Sequence, residues 1–125
     1  MSGVTFDAGG LIALDRNDRR ILTLISRATQ LGFRITVPAT ALAQAIRKPA
    51  RQARLSRFIR QANIDLVPLN GPDATRVGIL LAQSETADIV DAHVVICARR
   101  AGQSVVTSDP QDLKRLAPEL YLITI

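Results

Sequence analysis

Short β-prone runs and helical-period segments take turns along this chain from one end to the other. That alternation limits the fold more than any other feature of the sequence. GVTF, residues 3–6, reads as a strand that closes on Asp7. The AGG that follows permits a tight turn, and LIAL opens a helical pattern. In residues 18–31 the apolar positions Ile21, Leu22, Leu24, Ile25, Ala28 and Leu31 recur at helical spacing, with Asp18 as N-cap and Gly32 as stop. A strand over 33–37 precedes Pro38, a helix over 39–47 and a helix over 50–62 whose inward stripe is Leu55, Phe58, Ile59 and Ala62. Next come a short strand at 64–66, a turn at 68–72 and a helix over 73–83 capped by Asp73. Residues 84–113 then read helix, turn, strand, turn, helix: a helix from 87 or 88 to 101 stopped by Gly102, a strand at 104–107 and a helix at 110–116. A last strand covers 120–125. Such alternation predicts an α/β fold, a mainly parallel sheet of four or five strands with helices on both faces. The length, 125 residues, predicts a single domain, 1–125.

Composition narrows the function classes. Aromatic residues make up 3% of the chain and there is no Trp, so the core must be aliphatic. The same scarcity argues against RNA-binding sheets that stack bases on exposed rings. A single cysteine, Cys97 in the run VVICA, excludes an internal disulfide framework and reads as a small buried apolar residue. MSGVTFDAGG has no basic region followed by a long apolar run, and no apolar stretch approaches the ~20 residues of a membrane span. A cytoplasmic location is expected.

The net charge is +5, and its distribution says more than its sum. Residues 19–64 hold ten basic residues and no acid, while 65–125 hold eight acids and five basic residues. A basic half beside an acidic half suggests a polyanion held by one and worked on by the other; a solvated basic helix face explains the charge equally well.

The acids sit at joints. In an open α/β sheet the strands' carboxyl ends and the N-termini of the following helices share one edge, where ligands bind. Asp7 closes the first strand there, and Asp109 follows the SVVT strand. Asp88 and Asp91, three residues apart, share a helix face near a helix start. Carboxylates gathered this way, with no Lys or Arg close by in sequence, repel one another unless a divalent cation fills the gap; Mg²⁺ and Mn²⁺ prefer such oxygen donors. Each acid also has a plainer explanation. Asp109 can cap its helix, with Pro110 at the first position and Asp112 reaching back. Asp88 can equally be a cap. Capping explains Asp91 least, because its helix is otherwise built from Ile89, Val90, Ala92, Val94, Val95, Ile96 and Cys97. His93 points away from the Asp88–Asp91 face at ~100° per residue and reads as a packing residue. Other chemistries lack their motifs: there is no phosphate loop, no dinucleotide fingerprint, no Asp-x-Asp at Asp7 and no nucleophile elbow around any serine, Ser2 included. One Cys and one His cannot make a zinc site.

The stretches TFDAGGLIAL, VPATALAQAIR, DIVDAHVVICARRAG and VVTSDPQDL, in this order and spacing, resemble the PIN-domain family, in particular the VapC-type ribonuclease toxins of prokaryotic toxin–antitoxin pairs. The resemblance covers essentially the whole chain. It implies a PIN-like three-layer α/β/α sandwich and metal-dependent endonucleolytic cleavage of structured RNA such as tRNA or rRNA. It implies that Asp7, Asp91 and Asp109 hold Mg²⁺ or Mn²⁺, with Asp112 and Asp88 as supporting ligands or water-positioning groups. Arg47, Lys48, Arg51, Arg54, Arg57 and Arg60 would hold the RNA backbone or meet an acidic antitoxin tail. The family is often homodimeric, which directs attention to the apolar residues of 21–31 and 39–46. The family frequently has Glu where this chain has Gln44, a departure that keeps open a catalytically impaired RNA- or protein-binding module.

Overall fold

The computed structural model describes residues 3–125. Met1 and Ser2, within the expected 1–125 domain, lie outside the described residues. Five strands form one sheet, in the spatial order β3-β2-β1-β4-β5, and every pairing is parallel. They are β1 (Gly3–Phe6), β2 (Arg34–Pro38), β3 (Ile64–Val67), β4 (Ser104–Thr107) and β5 (Leu122–Thr124). Seven α-helices connect them: α1 (Ala8–Asp15), α2 (Arg19–Gln30), α3 (Ala39–Ala45), α4 (Ala53–Phe58), α5 (Gly71–Ser84), α6 (Ile89–Ala101) and α7 (Pro110–Leu116). The chain steps from β1 through β2 to β3, then returns past β1 to β4 and β5. Right-handed crossovers put the helices before β3 and those after it on opposite faces of the sheet, although α3 also packs against α6, where Thr40 meets His93. This is the expected PIN-like sandwich, with the sheet wholly parallel.

The central strands are buried on both faces, which parallel sheets require. All four residues of β4 are buried, and Phe6, Ile35, Val37, Val105 and Val106 have no exposed surface. Phe6 meets Phe58 of α4 with ring centroids 5.6 Å apart. Gly102 ends α6 in the left-handed conformation (φ 64°), as its position in sequence predicts.

Three local expectations are corrected. The helix expected over 50–62 splits into a 3-10 turn, Pro49–Arg51, and the short α4, so Leu55 and Phe58 are buried but Ala62 is exposed. Buried Gln52 causes the break. Its amide oxygen accepts from the Arg47 and Lys48 backbone amides (2.8 and 3.1 Å), and its amide nitrogen donates to the Ala45 carbonyl (2.9 Å). Helix α5 begins two residues before Asp73 and is capped by Asn70, whose Oδ1 accepts from the Asp73 amide. Asp73 is instead buried beneath Arg76 and Arg100, and the Arg100 guanidinium bonded to it is the chief cause holding its carboxyl below the usual range. The same helix runs past the expected residue 83 to Ser84, and Glu85 ends it in the left-handed conformation (φ 55°).

Candidate metal-binding site

Strands β1 and β4 are neighbours in space although about 100 residues separate them in sequence, and their carboxyl ends form one joint. The Asp7 amide donates to the Val106 carbonyl (3.2 Å), carrying the ladder past the end of β1. Asp7 is 6% exposed, and its Oδ1 accepts from the Gly10 amide at 2.8 Å, capping α1. Burial pushes its carboxyl above the usual range, and a hydrogen bond from the Thr107 hydroxyl works against that rise. The Thr107 hydroxyl oxygen in turn accepts from the Asp109 amide (2.9 Å). One fully buried hydroxyl thus ties the first acid of the chain to the loop that carries the fourth strand's acid. Sequence reasoning missed this role, although Thr107 stands in the Thr-x-Asp stretch that marks the joint.

The β1–α1 turn lies against that same loop. A methyl group added at Gly9 would collide with the Ser108 side chain and stand 3.3 Å from the Ser108 amide. Glycine at this position permits the close approach.

Helix α6 brings the remaining acids. Asp88 caps it, its Oδ1 accepting from the Asp91 amide at 2.9 Å. Asp91 lies one turn in, half-buried, and its carboxyl is pushed up to about 7. Burial is the largest cause, followed by the charges of Asp88, Asp7, Asp112 and Asp109. Four of the candidate acids thus act on the fifth, and the five come from three chain-distant segments. The capping box expected around Asp109 is not formed: Asp109 occupies the cap position of α7 without a side-chain cap bond, and both Asp109 and Asp112 face solvent.

A hollow of about 140 Å³ lies between the starts of α6 and α7, lined in part by Asp88, Asp91, Asp112 and Arg115. The sequence reading saw no basic residue near the acids; the fold supplies Arg115, three residues after Asp112. Among the described residues, no group of three or more His, Cys, Asp or Glu side chains converges tightly enough to hold a metal ion. The reason is local: Asp7 and Asp88 each turn an oxygen to a helix N-terminus. The donor set still fits a hydrated hard cation. It is all carboxylate, none of the five acids is ion-paired among the described residues, and Mg²⁺ usually keeps several waters while bound by one or two carboxylates.

The other expected residues do not line this hollow. Gln44 is exposed on α3 with no side-chain hydrogen bond among the described residues. Arg47, Lys48, Arg51, Arg54, Arg57 and Arg60 are exposed, and Arg54 donates to the Asp15 carbonyl (3.2 Å). In the two segments singled out for an interface, Leu31 and Ile46 are exposed (56% and 45%). His93 is fully buried, with its Nδ1 2.6 Å from the Thr40 hydroxyl, as a packing residue should be. Cys97 is buried, and burial raises its thiol to about 11, so it remains protonated.

No protein-family model matches the chain. No curated protein matches it in sequence. Solved structures do match. The chain is similar to one in VapBC2 from Rickettsia felis bound to a DNA fragment from their promoter (TM-score 0.69, 15% identity, 98% of each chain covered). It is similar to one in FitAcB from Neisseria gonorrhoeae (TM-score 0.66, 11% identity, 97% of this chain and 96% of that one). A third likeness is to FitAB bound to an IR36 DNA fragment (TM-score 0.65, 13% identity, 97% and 94% covered). These findings correct the expectation that the chain is a VapC-type ribonuclease toxin of the PIN-domain family. The neighbours are VapBC2, FitAcB and FitAB assemblies, two of them on DNA, and at identities of 15% or less the chain shares their fold and nothing more specific.

Proposed function

We propose that the chain is a divalent-metal-dependent nuclease that hydrolyses phosphodiester bonds of structured RNA, and that it works with a partner protein in a toxin–antitoxin-type module. The observation that carries the nuclease is Asp91, a half-buried carboxyl raised to about 7 by burial first and then by four other acids, the five coming from three segments of the chain. A site that gathers like charge at a sheet's switch point, without an ion pair to relieve it, is organised for a cation. The module is supported by the neighbours, which are toxin–antitoxin assemblies.

Asp91, Asp7 and Asp109 would hold Mg²⁺ or Mn²⁺, with Asp88 and Asp112 supporting them. When bound, the ion lowers the pKa of a coordinated water and stabilises negative charge on the phosphate. The chain's own residues set the stage for this. Thr107 fixes Asp7 against the Asp109 loop. Asp88 fixes the first turn of α6 and so the direction of Asp91. Arg115 places a cation at the wall of the same hollow, where it can meet a phosphate oxygen.

Gln44 and the DNA held by two of the neighbouring assemblies favour a second reading, in which the chain binds nucleic acid and its partner on the antitoxin side, without cutting. Incubation of purified protein with total RNA, with and without Mn²⁺, separates the two. The nuclease reading expects Mn²⁺-dependent cleavage that Asp7→Asn and Asp91→Asn each abolish. Cleavage that survives both substitutions, or no cleavage with any divalent metal, overturns it. Activity that appears only in Gln44→Glu establishes the second reading.

A further inference from the structure

A second hollow, of about 260 Å³, opens where the C-terminal ends of α1 and α3 meet the 3-10 turn. Four basic side chains line it: Arg16, Arg47, Lys48 and Arg51. All four are exposed, and among the described residues none takes part in an ion pair. A single acid, Asp15, shares the lining, which leaves a net charge of +3. Four like charges repel one another, so holding them around one cavity needs a reason in the local structure. Gln52 is that reason. Its buried amide ties the Arg47 and Lys48 amides to the Ala45 carbonyl, so the backbone beneath two of the cations is rigid before any ligand arrives. On the other wall Arg54 ties α4 to the end of α1. The cavity is pre-organised and positively charged, with Asp15 as the one acid in its lining.

Its position is informative. Helix α1 runs from the Asp7 cap to Asp15, eight residues, which at 1.5 Å per residue is ~12 Å. The basic hollow therefore lies ~12 Å from the acid joint. At ~3.4 Å of rise per nucleotide in a stacked strand, that span is three to four nucleotides. A phosphodiester strand can satisfy both ends, with one phosphate among the arginines and another at the cation held by the acids. An acidic peptide satisfies only the basic end, because the five acids repel it.

We propose that the hollow formed by Arg16, Arg47, Lys48 and Arg51 is a phosphate subsite for a single-stranded stretch of RNA whose scissile bond lies at the acid joint, three to four nucleotides away. This rests on the nuclease reading for the identity of the second site, but its first test does not depend on cleavage. Fluorescence anisotropy of a labelled octaribonucleotide, in EDTA and over a salt series, reads the hollow alone. Arg47→Ala/Arg51→Ala is expected to weaken binding about tenfold and to lower the slope of log affinity against log salt by ~1.4, since each lost phosphate contact on a single strand removes ~0.7. Arg19→Ala/Arg27→Ala removes the same charge from α2, outside the hollow, and is expected to leave binding within about twofold. Arg16→Ala, on the opposite wall, is expected to act in the same direction as the first pair. Equal losses from the two double variants would show general charge attraction and overturn the subsite. Displacement of the RNA by a glutamate octapeptide as effectively as by unlabelled RNA would assign the hollow to an acidic protein segment and overturn it too. With Mn²⁺ added, affinity is expected to step up only for oligonucleotides of about four nucleotides or more. A step already present with a dinucleotide refutes the spacing. A step at no length refutes the cation at the acid joint and leaves the result in EDTA standing.

Discussion

Replacing Asp91 with Asn should make the metal-free protein more stable, by an amount that depends on pH. Burial, and then the neighbouring acids, push the folded carboxyl up to about 7, against 3.8 for a free one. At ~1.4 kcal/mol per decade this difference corresponds to ~4 kcal/mol of unfavourable interaction once the group is ionised. Asp91 is half open to solvent, and screening reduces the figure to ~2 kcal/mol. The sign follows from proton binding. The folded state holds this proton more tightly than the unfolded chain does, so the contribution of Asp91 to stability is most favourable below pH 3.8 and is lost as pH rises towards 7. Above that the loss is complete. Asn presents a similar shape without the charge and escapes the loss. In EDTA at pH 8, Asp91→Asn should therefore melt roughly 8 °C above wild type, with the gap narrowing by more than half at pH 5. Adding Mn²⁺ at pH 8 should reverse the order, because an ion that binds only the native acids stabilises wild type by ~2.7 kcal/mol at a hundred times its Kd. Thermal melts by circular dichroism at the two pH values, with and without metal, measure all of this. A variant that is less stable than wild type at pH 8 in EDTA, or a gap independent of pH, refutes the argument that like charge is concentrated on Asp91.

Thr107→Val keeps the shape of a fully buried side chain while removing the hydroxyl between Asp7 and the Asp109 amide. It should lower stability by about 1–3 kcal/mol and raise the Asp7 pKa further, read by carbon-detected NMR of the carboxyl across pH. An Asp7 titration that does not move would show that Thr107 does not hold it. Gly9→Ala drives a methyl group into Ser108 and should cost about 1–3 kcal/mol in a denaturant melt, with amide shift changes concentrated at residues 107–110. An unperturbed Asp109 amide would count against the packing of those two turns.

The sheet was readable because its central strands β1, β2 and β4 are short, mostly buried runs with Asp, Pro or Gly close by, and because two of the helix stops are glycines in the left-handed conformation. The gathering of the acids was readable too, since strand–helix joints in parallel sheets share an edge. What local pattern could not show was which polar residue would be diverted into the interior. Asp73 has the spacing of a cap, but Asn70 takes that place and Arg100, 27 residues later, captures Asp73. Gln52 sits inside a helical-period run and breaks it by bonding three backbone groups, a contest between side chain and helix that periodicity does not reveal. Arg115 reads as the ordinary basic residue of a last helical turn, and only the packing of α6 and α7 sets it beside the acids. The family assignment from sequence went further than the comparisons allow, because a shared order of joints follows from a shared fold and does not by itself identify a role.

The neighbouring positions of β1 and β4 also impose a timetable. Strand β1 leaves the ribosome first, yet its partner on that side is made about 100 residues later, and the bond from Asp7 to Val106 cannot form before then. Sheets closed by such distant pairings assemble late. During synthesis Asp7 therefore waits without Thr107, Asp91 or Asp109, and any activity that needs all three segments is absent from a nascent chain until β4 has been made.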